Sequence, residues 1–203
     1  LQARSLEWGS LSLHELVGFY CAACRDLLPG EECLIPYFGP STNAFIFFRF
    51  GFVGADDNRH DRIGLCDGEG ATDLPALNGA LLRESVSALR AAWREEGEES
   101  GPPRAEPSVE LLEAALLSLP LTRDEPLSAA AEVEAARAVL AALREVDSHS
   151  VTSLADDVAA LDGGAARGAG ARMGTILRYR TGRKRLVALA IEIVEAHLAR
   201  LIV

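Results

Sequence analysis

Aromatic residues crowd into the first third of this chain, and that asymmetry restricts its fold more than any other feature of the sequence. All seven phenylalanines, two of the three tyrosines and Trp8 lie within residues 1–66 of 203. Short apolar runs there are broken by turn signals at Pro29-Gly30, Phe38-Gly39-Pro40 and Gly51. Val17-Gly18-Phe19-Tyr20-Cys21-Ala22 reads as a buried strand, and Cys33-Leu34-Ile35 as a short strand entered from the Pro29-Gly30 turn. Ser41-Thr42-Asn43 offers a helix cap, with Asn43 the expected capping side chain, before one or two apolar turns from Ala44 to Phe50.

After Cys66 the period changes from strand to helix. Leu81, Leu82, Val86, Leu89 and Trp93 recur at helical spacing and predict a helix over 77–96. Ser108 heads a second helix carrying Leu111, Leu112, Ala115, Leu116 and Leu119, which Pro120 ends. Residues 128–146 place Val133, Ala136, Val139, Leu140 and Leu143 opposite Glu132, Arg137 and Arg144. A short helix over 153–161 and a long one over 172–202 complete the set. Residues 97–107 and 163–170 read as exposed, flexible loops. The basic middle of the last helix, Arg178 to Arg185, reads as a solvated face with some capacity to meet acidic segments. These patterns predict an α+β chain, with a small irregular β-rich portion at 1–66 and an all-α domain at 67–203.

Charge narrows the partners. The formal net charge is −10, which argues against a nucleic-acid backbone or an anionic membrane as the main partner. No apolar run approaches the roughly 20 residues a bilayer requires, and the opening Leu1-Gln2-Ala3-Arg4 does not resemble a signal peptide. Cys21 and Cys24 form a C-x-x-C, but no second such pair and no H-x-x-x-H accompanies it, so buried thiols are favoured over zinc. His60, His149 and His197 are isolated in sequence, and no metal is expected.

The densest patch runs through Arg25-Asp26, Gly30-Glu31-Glu32, Tyr37-Phe38-Gly39, Asn43 and Phe50-Gly51-Phe52-Val53. Glycines allow close backbone approach, and the aromatic rings can wall a narrow slot suited to an aliphatic stem ending in an amine. In order and spacing over about 40 residues, this patch resembles the C-terminal half of a SET domain of the Rubisco large-subunit lysine methyltransferase type. That pattern continues into an N-x-x-D, met here by Asn58 and Asp61. Thr152-Ser153-Leu154-Ala155-Asp156-Asp157 and Leu177-Arg178-Tyr179-Arg180-Thr181-Gly182-Arg183-Lys184-Arg185-Leu186 are similar to two segments of the same family's helical substrate-binding domain.

The resemblance implies that residues 1–66 are the C-terminal part of a truncated SET domain and 67–203 the substrate-binding domain. It implies S-adenosylmethionine as the cofactor of the full-length parent, and a protein with an acceptor lysine as partner. It also implies a catalytic aromatic beside Gly39. Counting back from Gly39 puts Phe38 there; counting forward from Glu32 leaves Tyr37 able to fill the role through a one-residue bulge. Asn43, Phe50 and Phe52 fall where the family binds its acceptor. Phe50 stands where the family usually has tyrosine, and phenylalanine lacks the hydroxyl that orients an amine. The family's glycine segment and Asn-His pair are not found before Arg25, so the cofactor site is expected to be incomplete and its residues unknown.

Two readings follow. One is the acceptor half and docking domain of a SET-type protein-lysine N-methyltransferase; the other is a catalytically inactive protein-binding module derived from such an enzyme. A purely structural helical bundle leaves the aromatic patch without a reason. The expected location is intracellular, with plastid, nucleus and cytosol equally compatible.

Overall fold

The computed structural model describes residues 25–32, 39–65, 74–99, 106–122, 127–163 and 170–202. The strands expected at 17–22 and 33–35 lie outside the described residues, as do Tyr37 and Phe38. The chain divides into two compact units, Leu1–Gly39 and Pro40–Val203. That division falls at Gly39, well before the change of composition at Cys66.

In the first unit, the described segment is a turn. The Glu31 N–H donates to the Leu28 carbonyl at 3.0 Å across Pro29 and Gly30. Gly30 sits at φ +87°, so a proline followed by a left-handed glycine gives the type II arrangement. The Glu31 carboxylate accepts from the Leu28 N–H at 3.0 Å and pairs with Arg25. The Arg25 guanidinium holds the Glu31 carboxyl below its usual range, helped by the Leu28 amide.

The second unit is mostly helical. Its elements are α1 (Asn43–Phe50), β1 (Leu77–Asn78), α2 (Gly79–Glu99), α3 (Val109–Ser118), β2 (Leu121–Thr122), α4 (Ala129–Ser148), α5 (Leu154–Asp162) and α6 (Ala171–Leu201). Four of the helices begin at a hydroxyl cap. Thr42, Ser108, Ser128 and Ser153 each accept a backbone N–H three residues on. Ser153 and Asp156 satisfy each other's end reciprocally as a capping box. The capping residue of α1 is Thr42 rather than Asn43, which begins the helix and turns its side chain inward. Gly51, at φ +75°, ends α1 by donating its N–H to the Phe47 carbonyl.

The last helix, α6, runs 31 residues, roughly 45 Å, and packs against α1, α2, α3, α4 and α5. Its inward face carries Leu177, Leu186, Val187, Ala190, Ile193 and Val194, all buried. Opposite them, Val139 and Leu143 of α4, Leu82 and Val86 of α2, and Leu112 and Ala115 of α3 complete one core. Alanines at 114, 115, 135, 136 and 190 are almost fully buried, and such short side chains let helix axes approach closely.

The described β-structure is a two-residue parallel pair, Leu77 beside Leu121 and Asn78 beside Thr122. It lies inside the region expected to be all-helical. The apolar period places Leu77 at the start of a helix; instead Asn78 caps α2 by accepting from the N–H groups of Ala80 and Leu81. Pro120 ends α3 as expected, and its carbonyl accepts from the Leu77 N–H at 2.7 Å, which leads the chain into the pair.

Candidate functional site

Asn43, Asn58 and Asp61 are brought together although up to eighteen residues separate them. The buried Asn43 amide donates to the Ala55 carbonyl at 2.8 Å and to Asp61 Oδ2 at 2.9 Å. Its Oδ1 accepts from the Gly54 N–H at 2.9 Å, and its own backbone N–H donates to Asp61 Oδ1. Asn58 donates to the Ser41 carbonyl at 2.8 Å. Burial pushes the Asp61 carboxyl above its ordinary range, while the Asn43 donors partly offset it. A Cβ on Gly54 would meet Asn43 Oδ1 at 2.9 Å, so this position has little room for a side chain.

This hub fixes α1 and the segment after it, and with them a row of rings. Phe50 contacts Phe45 edge-on at 6.2 Å and Phe52 at 6.1 Å. All three stay between 38% and 50% exposed, an unusual state for phenylalanine in one cluster. Phe47 faces the other way and stacks on Tyr179 of α6 at 4.5 Å, nearly parallel. Of the residues implicated from sequence, Asn43, Phe50 and Phe52 therefore occupy one neighbourhood. Asn43 is committed to holding the backbone, whereas Phe50 and Phe52 present ring surface.

A second constellation joins α5 to α6. Asp157, almost fully buried, receives Lys184 Nζ at 2.6 Å and Arg180 Nη2 at 2.8 Å. Thr152 donates its hydroxyl to Asp157 Oδ1 at 2.8 Å and accepts from Lys184 at 2.8 Å. Lys184 also reaches the Thr152 and Ser153 carbonyls. Burial raises the Asp157 carboxyl, but Lys184, Thr152 and Arg180 together outweigh it and hold the group below its ordinary range. The expectation of a solvated basic face fails here, because Lys184 points inward and finds its counter-ion. No local pattern around Lys184 marks that partner, which lies 27 residues away in the chain.

Beside this network opens a cleft of about 460 Å³, lined by Val146, Val151, Tyr179, Arg183 and Val187 among others. A recess of about 20 Å³, the size of a water molecule, lies on the other side of Tyr179 and Arg183, against Asn43 and Asp61.

A third cluster has the outline of a hydrolytic triad. Ser85 Oγ lies 2.8 Å from His197 Nδ1, and His197 Nε2 lies 2.8 Å from Glu132 Oε1. All three side chains are about 1% exposed, and Ser85 Oγ donates back to the Leu81 carbonyl at 3.0 Å. Glu132 also accepts the Asn78 N–H with both oxygens. A nucleophile needs access to its substrate and donors for the developing oxyanion. Ser85 lies within a closed helix contact, so the cluster is a polar tie between α2, α4, α6 and β1. His197 gave no sequence signal because its partners lie 112 and 65 residues away.

Among the described residues, no group of three or more His, Cys, Asp or Glu side chains is placed to hold a metal ion. No described helix is long and apolar enough to cross a membrane. In comparisons with known proteins, no family model matches this chain and no curated protein matches it significantly.

Proposed function

We propose that this chain supplies the acceptor-lysine wall and the protein-docking domain of an S-adenosylmethionine-dependent protein-lysine N-methyltransferase of SET type. The observation that carries this reading is the convergence of Asn43, Asn58 and Asp61 into one hub that ties down the segment bearing the exposed rings of Phe45, Phe50 and Phe52. Those polar positions are the ones the SET resemblance singles out, and a rigid hub holding an aromatic surface is what positioning a lysine stem demands. Ring faces shed water from the methylene chain and tolerate the cationic amine. The pairing of Thr152 and Asp157 with Arg180 and Lys184 adds weight, since it gives the two resembling segments of the helical domain a shared physical purpose.

A second reading has its own observation. Phe50 carries no hydroxyl to orient an amine, and the cleft beside Arg183 is separate from the rings, as a non-catalytic binding module would have it. Calorimetric titration with S-adenosylmethionine separates the two, using this chain and, if the gene encodes one, an upstream-extended product. Cofactor binding and transfer of a labelled methyl group to lysine by the extended protein are expected, with Phe52→Ala lowering transfer on the order of tenfold or more. If no product of the gene binds the cofactor, the binding-module reading replaces the enzyme.

A further inference from the structure

We propose that the cleft between the end of α4, the 149–152 segment and α6 docks a short peptide of a protein partner, and that this peptide carries an aliphatic side chain beside a carboxylate. This deepens the docking-domain reading above and rests on it. The cleft volume of about 460 Å³ falls within the range of ordinary ligand sites and suits a few side chains rather than a whole helix.

Two observations define the occupant. The walls contributed by Val146, Val151 and Val187 are aliphatic, and Val151 is 98% exposed at the rim. A valine held fully in water beside an apolar cleft gains from a partner that covers it. The charged lining supplies the second preference. Arg180 and Lys184 share the single Asp157 carboxylate, which fixes their positions and leaves one positive charge over, and Asp147 is exposed at the cleft. Arg183 is half-buried on the same wall and makes no ion pair or hydrogen bond among the described residues. A planar guanidinium in that state is matched by a carboxylate, which takes two parallel N–H donors. On a chain of net charge −10, such a site selects acidic segments locally that the molecule as a whole repels.

The test is fluorescence anisotropy with a labelled peptide alternating leucine and glutamate, against two controls. One control replaces glutamate by lysine and the other replaces leucine by serine. The leucine–glutamate peptide is expected to bind best, and more weakly as salt rises. Arg183→Glu is expected to weaken it on the order of tenfold, and Val151→Asp by a similar factor. Neither side chain belongs to the core, and thermal melts of both variants check that the fold persists. Equal binding of the lysine control, or unchanged binding by both variants, overturns the proposal. Methyl transfer is a separate readout. Peptide binding by this chain, with no cofactor binding or lysine methylation by any product of the gene, removes the enzyme reading and keeps the cleft; lysine methylation without cleft-dependent binding does the reverse.

Discussion

Asn43 makes its contribution through four hydrogen bonds at once, to Ala55, Gly54 and both oxygens of Asp61. Replacing it with alanine keeps the backbone N–H bond to Asp61 Oδ1 but strands the Gly54 N–H, the Ala55 carbonyl and Asp61 Oδ2 in a partly buried space. Leaving buried polar groups unpaired costs about 1–3 kcal/mol each before relaxation. Asn43→Ala is therefore expected to destabilise the second unit by about 2–4 kcal/mol, read as a lowered urea midpoint. An unchanged midpoint would show that water replaces the amide without loss. The Asp61 carboxyl runs opposite to most acids here. Its folded pKa is raised, so the native state holds a proton that the unfolded chain releases above its ordinary value of 3.8, and this group alone lowers stability as pH rises through that window.

At the scale of elements, the α5–α6 junction depends on a single buried carboxylate. Asp157→Asn leaves Lys184 buried without its counter-ion, a change that costs about 3 kcal/mol in comparable buried pairs. Lys184→Met is expected to cost clearly less, because Arg180 and Thr152 still satisfy Asp157 and methionine replaces the methylene stem at similar volume. Equal losses from the two substitutions would contradict the ion-pair account. The pH dependence follows from the sign of the shift. The folded pKa of Asp157 lies below 3.8, so its stabilisation is complete above that value and is lost as pH falls through the lower folded value. Denaturation midpoints measured through this acid range should fall steeply for the natural chain and less steeply for Asp157→Asn.

In the second unit, α6 touches each of the other described helices, so its packing sets their stability together. Ile193, fully buried on its inner face, is the position to perturb. Ile193→Ala is expected to cost about 2–5 kcal/mol and to keep a single transition by circular dichroism. Two separated transitions would mean that the helices around α6 unfold independently. The Ser85–His197–Glu132 tie belongs to this scale too, since it joins three helices through two side-chain contacts of 2.8 Å and reaches β1 through the Asn78 N–H on Glu132.

The helices were legible in the sequence nearly to the residue. Ser108 caps its helix as expected, and Ser128 and Ser153, expected as first helical residues, stand one place earlier as caps, because a hydroxyl accepting an N–H three residues on is a local event. Apolar period did the same for the inward faces of α2 and α4. What tertiary structure decided were the partnerships between distant residues. Asn43, placed by its neighbours at a cap, instead bonds Asp61 across eighteen residues, while Lys184, placed by its neighbours in water, instead meets Asp157. The parallel pair of Leu77 and Leu121 and the burial of His197 belong to the same group. Backbone propensity and periodicity act within a turn or two of helix and are therefore written in neighbouring letters. A buried polar group is satisfied by whichever segment packing brings to it, and that choice is made only when the chain closes on itself.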